Sequence, residues 1–294
     1  MSTTFVTRLD AAAGRRLYDA IGREDFQFRS VPHAAWSAKG QEVNVTLYKS
    51  GKLVVQGKGL EVFTGRFLAD AKPTAGSGRD EGGAIPLRGP TAGSDESGKG
   101  DYFGPLVVAS AFVRPEDLEL LGELGVRDSK QATDDRVRKV EGALQERLVH
   151  AVRVLEPEAY NAAYAEMGNL NVLLGRLHAE VLDDVLGQVG EGSFFLVVDR
   201  FGNPKLVLDH LSPEAKRHGF TMPVRGESHP AVAAASFLAR AAFLRSFDEL
   251  RNDAGGELYL GASDPRIVPL ARRLKQEGWL ERFAKLHFKT TQRL

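Results

Sequence analysis

Apolar positions in this chain follow two periods. Val43, Val45 and Leu47 alternate with Asn44 and Thr46, Lys49-Ser50-Gly51-Lys52 reads as a turn, and Leu53-Val54-Val55-Gln56-Gly57 follows. Alternation on both sides of a glycine-bearing turn predicts a β-hairpin. Ala11 to Ile21 and Glu61 to Ala71 carry helical spacing on either side, which predicts a small α+β module of roughly 70 residues. From Lys72 to Pro90 the sequence KPTAGSGRDEGGAIPLRGP has no apolar period and reads as a linker. The predicted boundaries are a front domain over 1–72, a linker over 73–88 and a large domain over 89–294.

In the large domain Phe103 to Val113 predicts an apolar strand, and Thr133 an N-cap for a helix with Val137, Val140, Leu144 and Leu148 on one face. Val149 to Leu155 is a further strand. Leu173, Leu177, Val181 and Val185 mark a second helix, Phe194 to Val198 a short fully apolar strand, and Pro230 to Leu250 a long Ala-rich helix. Strands alternating with helices predict an α/β sheet domain.

Composition narrows the class. Hydrophobic residues are 43% and charged residues 27% of the chain, and no run approaches the roughly 20 apolar residues of a membrane span, so no membrane partner is expected. Met1 to about Leu17 lacks the apolar core of a signal peptide, which makes the cytoplasm the expected compartment, and a monomer is expected there. The absence of cysteine excludes disulfides, thiolate metal sites and a cysteine nucleophile. A net charge of zero argues against holding nucleic acid by bulk electrostatics, yet residues 1–88 hold 13 Lys and Arg against 9 Asp and Glu, leaving 26 basic against 30 acidic residues behind them. A basic attachment module joined to an acidic, metal-holding one fits that division, as does scatter in small counts.

The segment Gly93-Ser94-Asp95-Glu96-Ser97-Gly98-Lys99-Gly100-Asp101-Tyr102-Phe103-Gly104-Pro105 admits two readings. Gly93 to Lys99 matches the G-x-x-x-x-G-K part of a phosphate-binding loop. Gly100 then stands where a Ser or Thr is needed for magnesium, Asp95 and Glu96 would repel phosphates, and a strand rather than a helix follows, so no nucleotide cofactor is expected. In the other reading Asp95 and Glu96 sit at a strand end and coordinate hard divalent cations. Paired acids are also common in solvated turns, so partners are required elsewhere. Asp199 ends the strand Phe194 to Val198, as a turn former or as a carboxylate aimed into a site. Glu227 precedes the Ala-rich helix, where it would also suit the helix dipole.

Taken in order, Asp95-Glu96 within G-S-D-E-S-G-K-G-D-Y-F-G-P, Asp128-Ser129-Lys130 within V-R-D-S-K, Asp199 after an apolar strand, E-S-H-P-A-V-A-A-A-S-F-L-A-R and His287-Phe288-Lys289-Thr290-Thr291 resemble the signature blocks of type 2 ribonucleases H. The resemblance covers nearly all of Gly89 to Leu294. Glu227, where ribonuclease HII typically has Asp, and the N-terminal extension are more similar to ribonuclease HIII. Within that extension Leu47 to Gly57 is similar to a strand-turn-strand of TATA-binding protein.

The resemblance implies a ribonuclease H-like mixed sheet with flanking helices, preceded by a small TATA-binding-protein-like substrate domain. It implies an endonuclease that cuts the RNA strand of an RNA–DNA hybrid by a two-metal mechanism, leaving 5′-phosphate and 3′-hydroxyl ends. Asp95, Glu96, Asp199 and Glu227 would be both catalytic and metal-ligating, with Mg2+ preferred for an oxygen cage and Mn2+ able to substitute. Four acids packed together would raise at least one carboxyl pKa, so that metal uptake increases with pH. Gly98, Lys99 and Gly100 resemble the family's G-x-G substrate loop, whose backbone reaches the 2′-hydroxyl, although Lys99 also suits a solvated turn. Ser129, Lys130 and Arg240 resemble phosphate contacts, and Tyr48, Lys49, Lys52 and Lys58 would meet the hybrid in the front domain unless they only solubilise it. Tyr259, the only tyrosine after Glu227, is not spaced as the junction-sensing tyrosine of ribonuclease HII. Three alternatives remain: incision at single embedded ribonucleotides, as in ribonuclease HII, hybrid binding without catalysis, and a P-loop nucleotidase, which would bind nucleotide tightly.

Overall fold

The computed structural model describes residues 4–31, 34–68, 87–126 and 132–294. Most of the predicted linker, with Ser129 and Lys130, lies outside the described residues. The chain divides into two compact units, residues 1–83 and 84–294.

The front unit runs β1 (Thr4–Arg8), α1 (Ala11–Ile21), β2 (Gln27–Arg29), β3 (Ala34–Gly40), β4 (Val43–Tyr48), β5 (Lys52–Gly57) and α2 (Leu60–Phe67). Its sheet is antiparallel in the order β1-β5-β4-β3-β2. The predicted hairpin is β4 and β5. Val43, Val45, Leu47, Leu53 and Val55 turn one face inward against Leu17 and Ile21 of α1 and Phe63 of α2. Asp10 starts α1 by accepting the Ala13 N–H at 2.7 Å. Helix α2 stops at Phe67 rather than reaching Ala71, since Leu68 leaves the helical region at φ −136°.

The large unit contains β6 (Thr91–Ser97), β7 (Leu106–Val113), α3 (Leu118–Glu123), α4 (Asp134–Arg147), β8 (His150–Leu155), α5 (Pro157–Met167), α6 (Leu170–Val189), β9 (Phe195–Val198), α7 (Lys205–Leu208), β10 (Gly219–Thr221), α8 (Pro230–Asp253), α9 (Ile267–Gln276) and α10 (Leu280–Phe283). Its sheet has the order β10-β9-β6-β7-β8 and is mixed: β6 pairs parallel with β9 and antiparallel with β7. Helices cover both faces, so every residue of β7 is buried. Val107, Ala109, Ala111 and Val113 share a core with α4 and α8, whereas Leu106, Val108 and Phe112 share one with α6. This is the mixed sheet with flanking helices that the family resemblance implies.

Two sequence expectations shift. Strand β7 begins at Leu106, not Phe103, because Gly104 at φ 87° and Pro105 precede it. Residues 91–97, where one reading of the sequence puts only Asp95 and Glu96 at a strand end, form the whole central strand β6; serine and glycine are poor strand formers, but pairing on both sides overrides propensity. Helix α8 packs on β6 closely because Gly93 has no side chain. A Cβ there would lie 2.3 to 2.6 Å from backbone atoms of Ala231 and Val232. Gly93→Ala is therefore expected to destabilise the large unit by about 1–3 kcal/mol, since a backbone must move, and thermal melting checks it. No helix among the described residues is long and apolar enough to cross a membrane.

Candidate active site

Strand alternation assigns each acid of β6 its direction. Gly93 faces the start of α8, so Asp95, two residues on, projects from the same sheet face. Ser94 faces α6, with its Oγ 2.6 Å from His178 Nδ1, and Glu96 follows it toward that ring. On β9, Val198 pairs with Ser94, and the Asp199 N–H donates to the Ser94 carbonyl at 3.4 Å. Asp199 thus stands beside Asp95 at the ends of adjacent parallel strands. Its Oδ1 accepts the Gly226 N–H at 2.7 Å, which ties the turn carrying Glu227 to the strand end. Asp95 is 4% exposed, and its Oδ1 accepts the Glu96 N–H at 2.8 Å.

Asp95, Glu96 and Asp199 line one cavity of about 380 Å³ together with Gly98, Lys99, Gly100 and Arg240. The loop is tightly held: Gly98 has φ 84°, and a Cβ on it would lie 2.2 Å from the Pro105 carbonyl oxygen. That carbonyl and its Gly104 neighbour accept from the Nζ of Lys285, a fully buried lysine, at 3.1 and 2.5 Å. Arg240 pairs with Asp134 at 3.0 Å and lies over the Phe243 ring at 5.3 Å. Glu227 is not among the residues lining the cavity. It sits in a short 3-10 turn before α8, whose first N–H, that of Ala231, donates to Nδ1 of the buried His229 at 3.2 Å. Burial pushes the His229 imidazole down to about 4, which keeps it neutral as a cap.

The Glu96 carboxyl is shifted downward. Burial by itself would raise that group, but the His178 ring and the Lys99 ammonium, 3.3 Å from Oε1, outweigh burial and hold it well below the usual carboxylate range. Its neighbours are cationic or hydrogen-bonding groups rather than other acids. Two residues of this site were missed in the sequence: His178, beside Glu96, and Asp134, on the cavity wall and paired with Arg240. His178 flanks the apolar stripe of α6, where a histidine reads as core, and Asp134 looks like an ordinary first-turn acid.

Among the described residues no group of three or more His, Asp or Glu is drawn together tightly enough to hold a metal ion. The sequence expectation that four acids meet at one point is therefore not met in this arrangement. Asp95 and Asp199 share one sheet face, Glu96 lines the same cavity but also reaches toward His178, and Glu227 stays in its turn. In kind the residues still fit a hard divalent cation, being carboxylates at or beside strand ends that line one cavity.

The remaining predicted contacts lie elsewhere. Tyr48 and Lys49 line a cavity of about 980 Å³ in the front unit, with Tyr18, Phe28, Trp36 and Arg29. Lys52 and Lys58 are exposed, at the start of β5 and just after it. Tyr259 is covered by the Arg266 guanidinium, 4.0 Å from its ring centroid, and lines a separate cavity. His287 hydrogen-bonds Tyr160 at 3.1 Å and stacks on Tyr164, fastening the C-terminal segment.

The family model for ribonuclease HII matches residues 92–291, and a domain of unknown function, DUF3378, matches residues 5–78. The ribonuclease HIII of Chlamydia abortus is 36% identical over 99% of this chain and 97% of its own length. That of Lysinibacillus sphaericus is 34% identical over 90% of each chain. The crystal structure of Bst-RNase HIII in complex with Mn2+ superposes with a TM-score of 0.64 at 29% identity, covering 98% of this chain and 97% of that one. With matches spanning both units, the chain belongs to the type 2 ribonuclease H family, alongside the ribonucleases HIII.

Proposed function

We propose that this protein is an endonuclease that hydrolyses the RNA strand of RNA–DNA hybrids, acting as a monomer in the cytoplasm. The observation that carries the proposal is a single cavity in which Asp95, Glu96 and Asp199 face the Gly98-Lys99-Gly100 loop and Arg240, in a chain whose full-length relatives are ribonucleases HIII. Asp95, Glu96, Asp199 and, from the turn tied to Asp199, Glu227 would hold Mg2+ or Mn2+. When bound, such ions supply an activated water and neutralise charge on the phosphodiester.

The chain's own groups do the rest. Asp95 and Asp199 are fixed by backbone pairing, so their oxygens are presented without prior ordering of a loop. The Gly98 to Gly100 backbone can approach a ribose closely and read its 2′-hydroxyl, because Gly100 has open space around it. Arg240, released from Asp134, would meet a phosphate, as would Ser129 and Lys130; such contacts position a backbone without reading sequence. Cleavage products would carry 5′-phosphate and 3′-hydroxyl ends.

The test is a labelled hybrid incubated with the protein and Mg2+ or Mn2+. Internal cuts within the RNA strand are expected, with much weaker incision of a duplex holding one ribonucleotide. The reverse preference would establish the ribonuclease HII-like alternative, and hybrid binding without cutting at any metal concentration would establish the non-catalytic one.

We further propose that the front unit is a TATA-binding-protein-like substrate-binding domain, contacting the hybrid through Tyr48, Lys49, Lys52 and Lys58. An antiparallel sheet backed on one face by α1 and α2 supports this assignment. Removing residues 1–72 is expected to raise KM about tenfold or more while changing kcat less than about threefold, the signature of lost uniform binding. Unchanged KM in the truncated protein would refute the assignment.

A further inference from the structure

His178 is fully buried on α6, and three neighbours fix its ring. Ser94 Oγ lies 2.6 Å from Nδ1, and the Phe201 ring stacks on it at 4.9 Å between centroids and 11° between planes. Its third neighbour is Glu96, whose Oε2 stands 3.3 Å from Nε2. That distance is within ion-pair range, but the alignment is off a hydrogen bond, so both atoms are buried with no hydrogen-bond partner. Two such groups facing each other unpaired are unfavourable, and a small rotation of one side chain would pair them. The histidine is held by Ser94 and Phe201, which leaves Glu96, lining the cavity, as the partner able to rotate.

The tautomer follows from the same contacts. If the Ser94 hydroxyl donates to Nδ1, the hydrogen resides on Nε2 and points at a carboxylate; the other tautomer would set a ring lone pair against that carboxylate. The second oxygen of Glu96, Oε1, is gripped from the cavity side by Lys99 at 3.3 Å. Oε1 is therefore the oxygen that faces the cavity, and Oε2 the one that faces the imidazole.

From this arrangement we infer that His178, anchored by Ser94 and Phe201, is the positioning residue for Glu96: it retains Oε2 through Nε2–H and leaves Oε1 for a divalent cation. The inference rests on Glu96 being a metal ligand. Donors behind a ligating group are typically worth 10–100-fold in metal affinity.

The test is calorimetric titration of Mn2+ into the intact, nucleic-acid-free protein and into His178→Gln and His178→Met, two side chains of similar size of which only glutamine offers an N–H near the position of Nε2. His178→Met is expected to weaken Mn2+ binding about 10–100-fold, and His178→Gln to stay within about threefold of the parent. Equal weakening in both variants would assign His178 to packing alone, and parental affinity in His178→Met would remove it from the site; either overturns the inference. A parent protein that takes up no Mn2+ would instead overturn the metal-ligand reading of Glu96, and the role of His178 with it.

Discussion

Asp199→Asn is expected to lower hybrid cleavage at saturating divalent cation by about 10³-fold or more, equivalent to roughly 4 kcal/mol of lost transition-state stabilisation. Its Oδ1 accepts the Gly226 N–H at 2.7 Å, and an asparagine oxygen can accept the same bond, so the turn before α8 should hold and the melting temperature should change little. Asp95→Asn is expected to match it in rate. That side chain is buried beside the same strand end and likewise keeps an oxygen for the Glu96 N–H. Asp134→Asn serves as the comparison. Asp134 lines the same cavity but is paired with Arg240, so its loss should cost about tenfold or less in rate, the scale of a rim charge rather than of a metal-ligating group. Initial rates on one labelled hybrid across the three variants decide the matter, and near-parental rates in Asp95→Asn and Asp199→Asn would dismiss the carboxylate assignment.

Lys285→Met is expected to destabilise the protein by an amount that grows as pH rises from about 7 toward 10. Lys285 Nζ donates to the carbonyls of Gly104 and Pro105 from a site with no exposure, and burial pushes its ammonium down to about 7 against the opposing pull of Asp101 and Glu156. A lysine whose folded pKa lies below its unfolded value near 10.5 binds fewer protons folded than unfolded in the interval between them. Stability contributed by the parent side chain therefore rises with pH across that window, by up to about 1.4 kcal/mol per unit. Below it, the buried charge offsets part of what the two hydrogen bonds contribute. Methionine removes the charge but leaves two carbonyls without that donor, at about 1–3 kcal/mol each. Urea midpoints of parent and variant at pH 6, 7.5 and 9 should diverge upward. Parallel curves would mean that Lys285 does not lose its proton in the folded protein. Because the Pro105 carbonyl also bounds the space around Gly98, cleavage by Lys285→Met should fall with the stability of the glycine loop.

The structure treats the acids differently from a simple cage. Asp95 and Asp199 are set by register, Glu96 by a histidine on the opposite sheet face, and Glu227 only indirectly, through Gly226. Backbone pairing at adjacent parallel strands brings two carboxylates side by side at the spacing of a sheet, whatever their mutual repulsion. The other two depend on side-chain rotation and on a turn. That division explains why Glu96 has cationic company and a lowered carboxyl pKa, whereas packing of acids alone would raise one.

Local sequence determined much of this protein. The hairpin at Val43 to Gly57, helix α1 with its Asp10 cap, helix α4 with its Thr133 cap and the apolar strand before Asp199 follow from periodicity and capping, which act over a few residues. The ordered blocks around Asp95, Asp199 and Glu227 also identify the family, because joint spacing is far more specific than any single pair of acids. Tertiary structure decided the remainder. Strand β6 exists through pairing with β7 and β9 despite a Gly-Ser-Asp-Glu-Ser sequence that resembles a turn. His178 reaches Ser94 and Glu96, and Lys285 reaches Gly104, across more than 80 positions of sequence, distances over which no local pattern carries information. Which face of the sheet each carboxylate takes was fixed by a period of two counted from Gly93, and that glycine matters only because a helix remote in sequence lies against it.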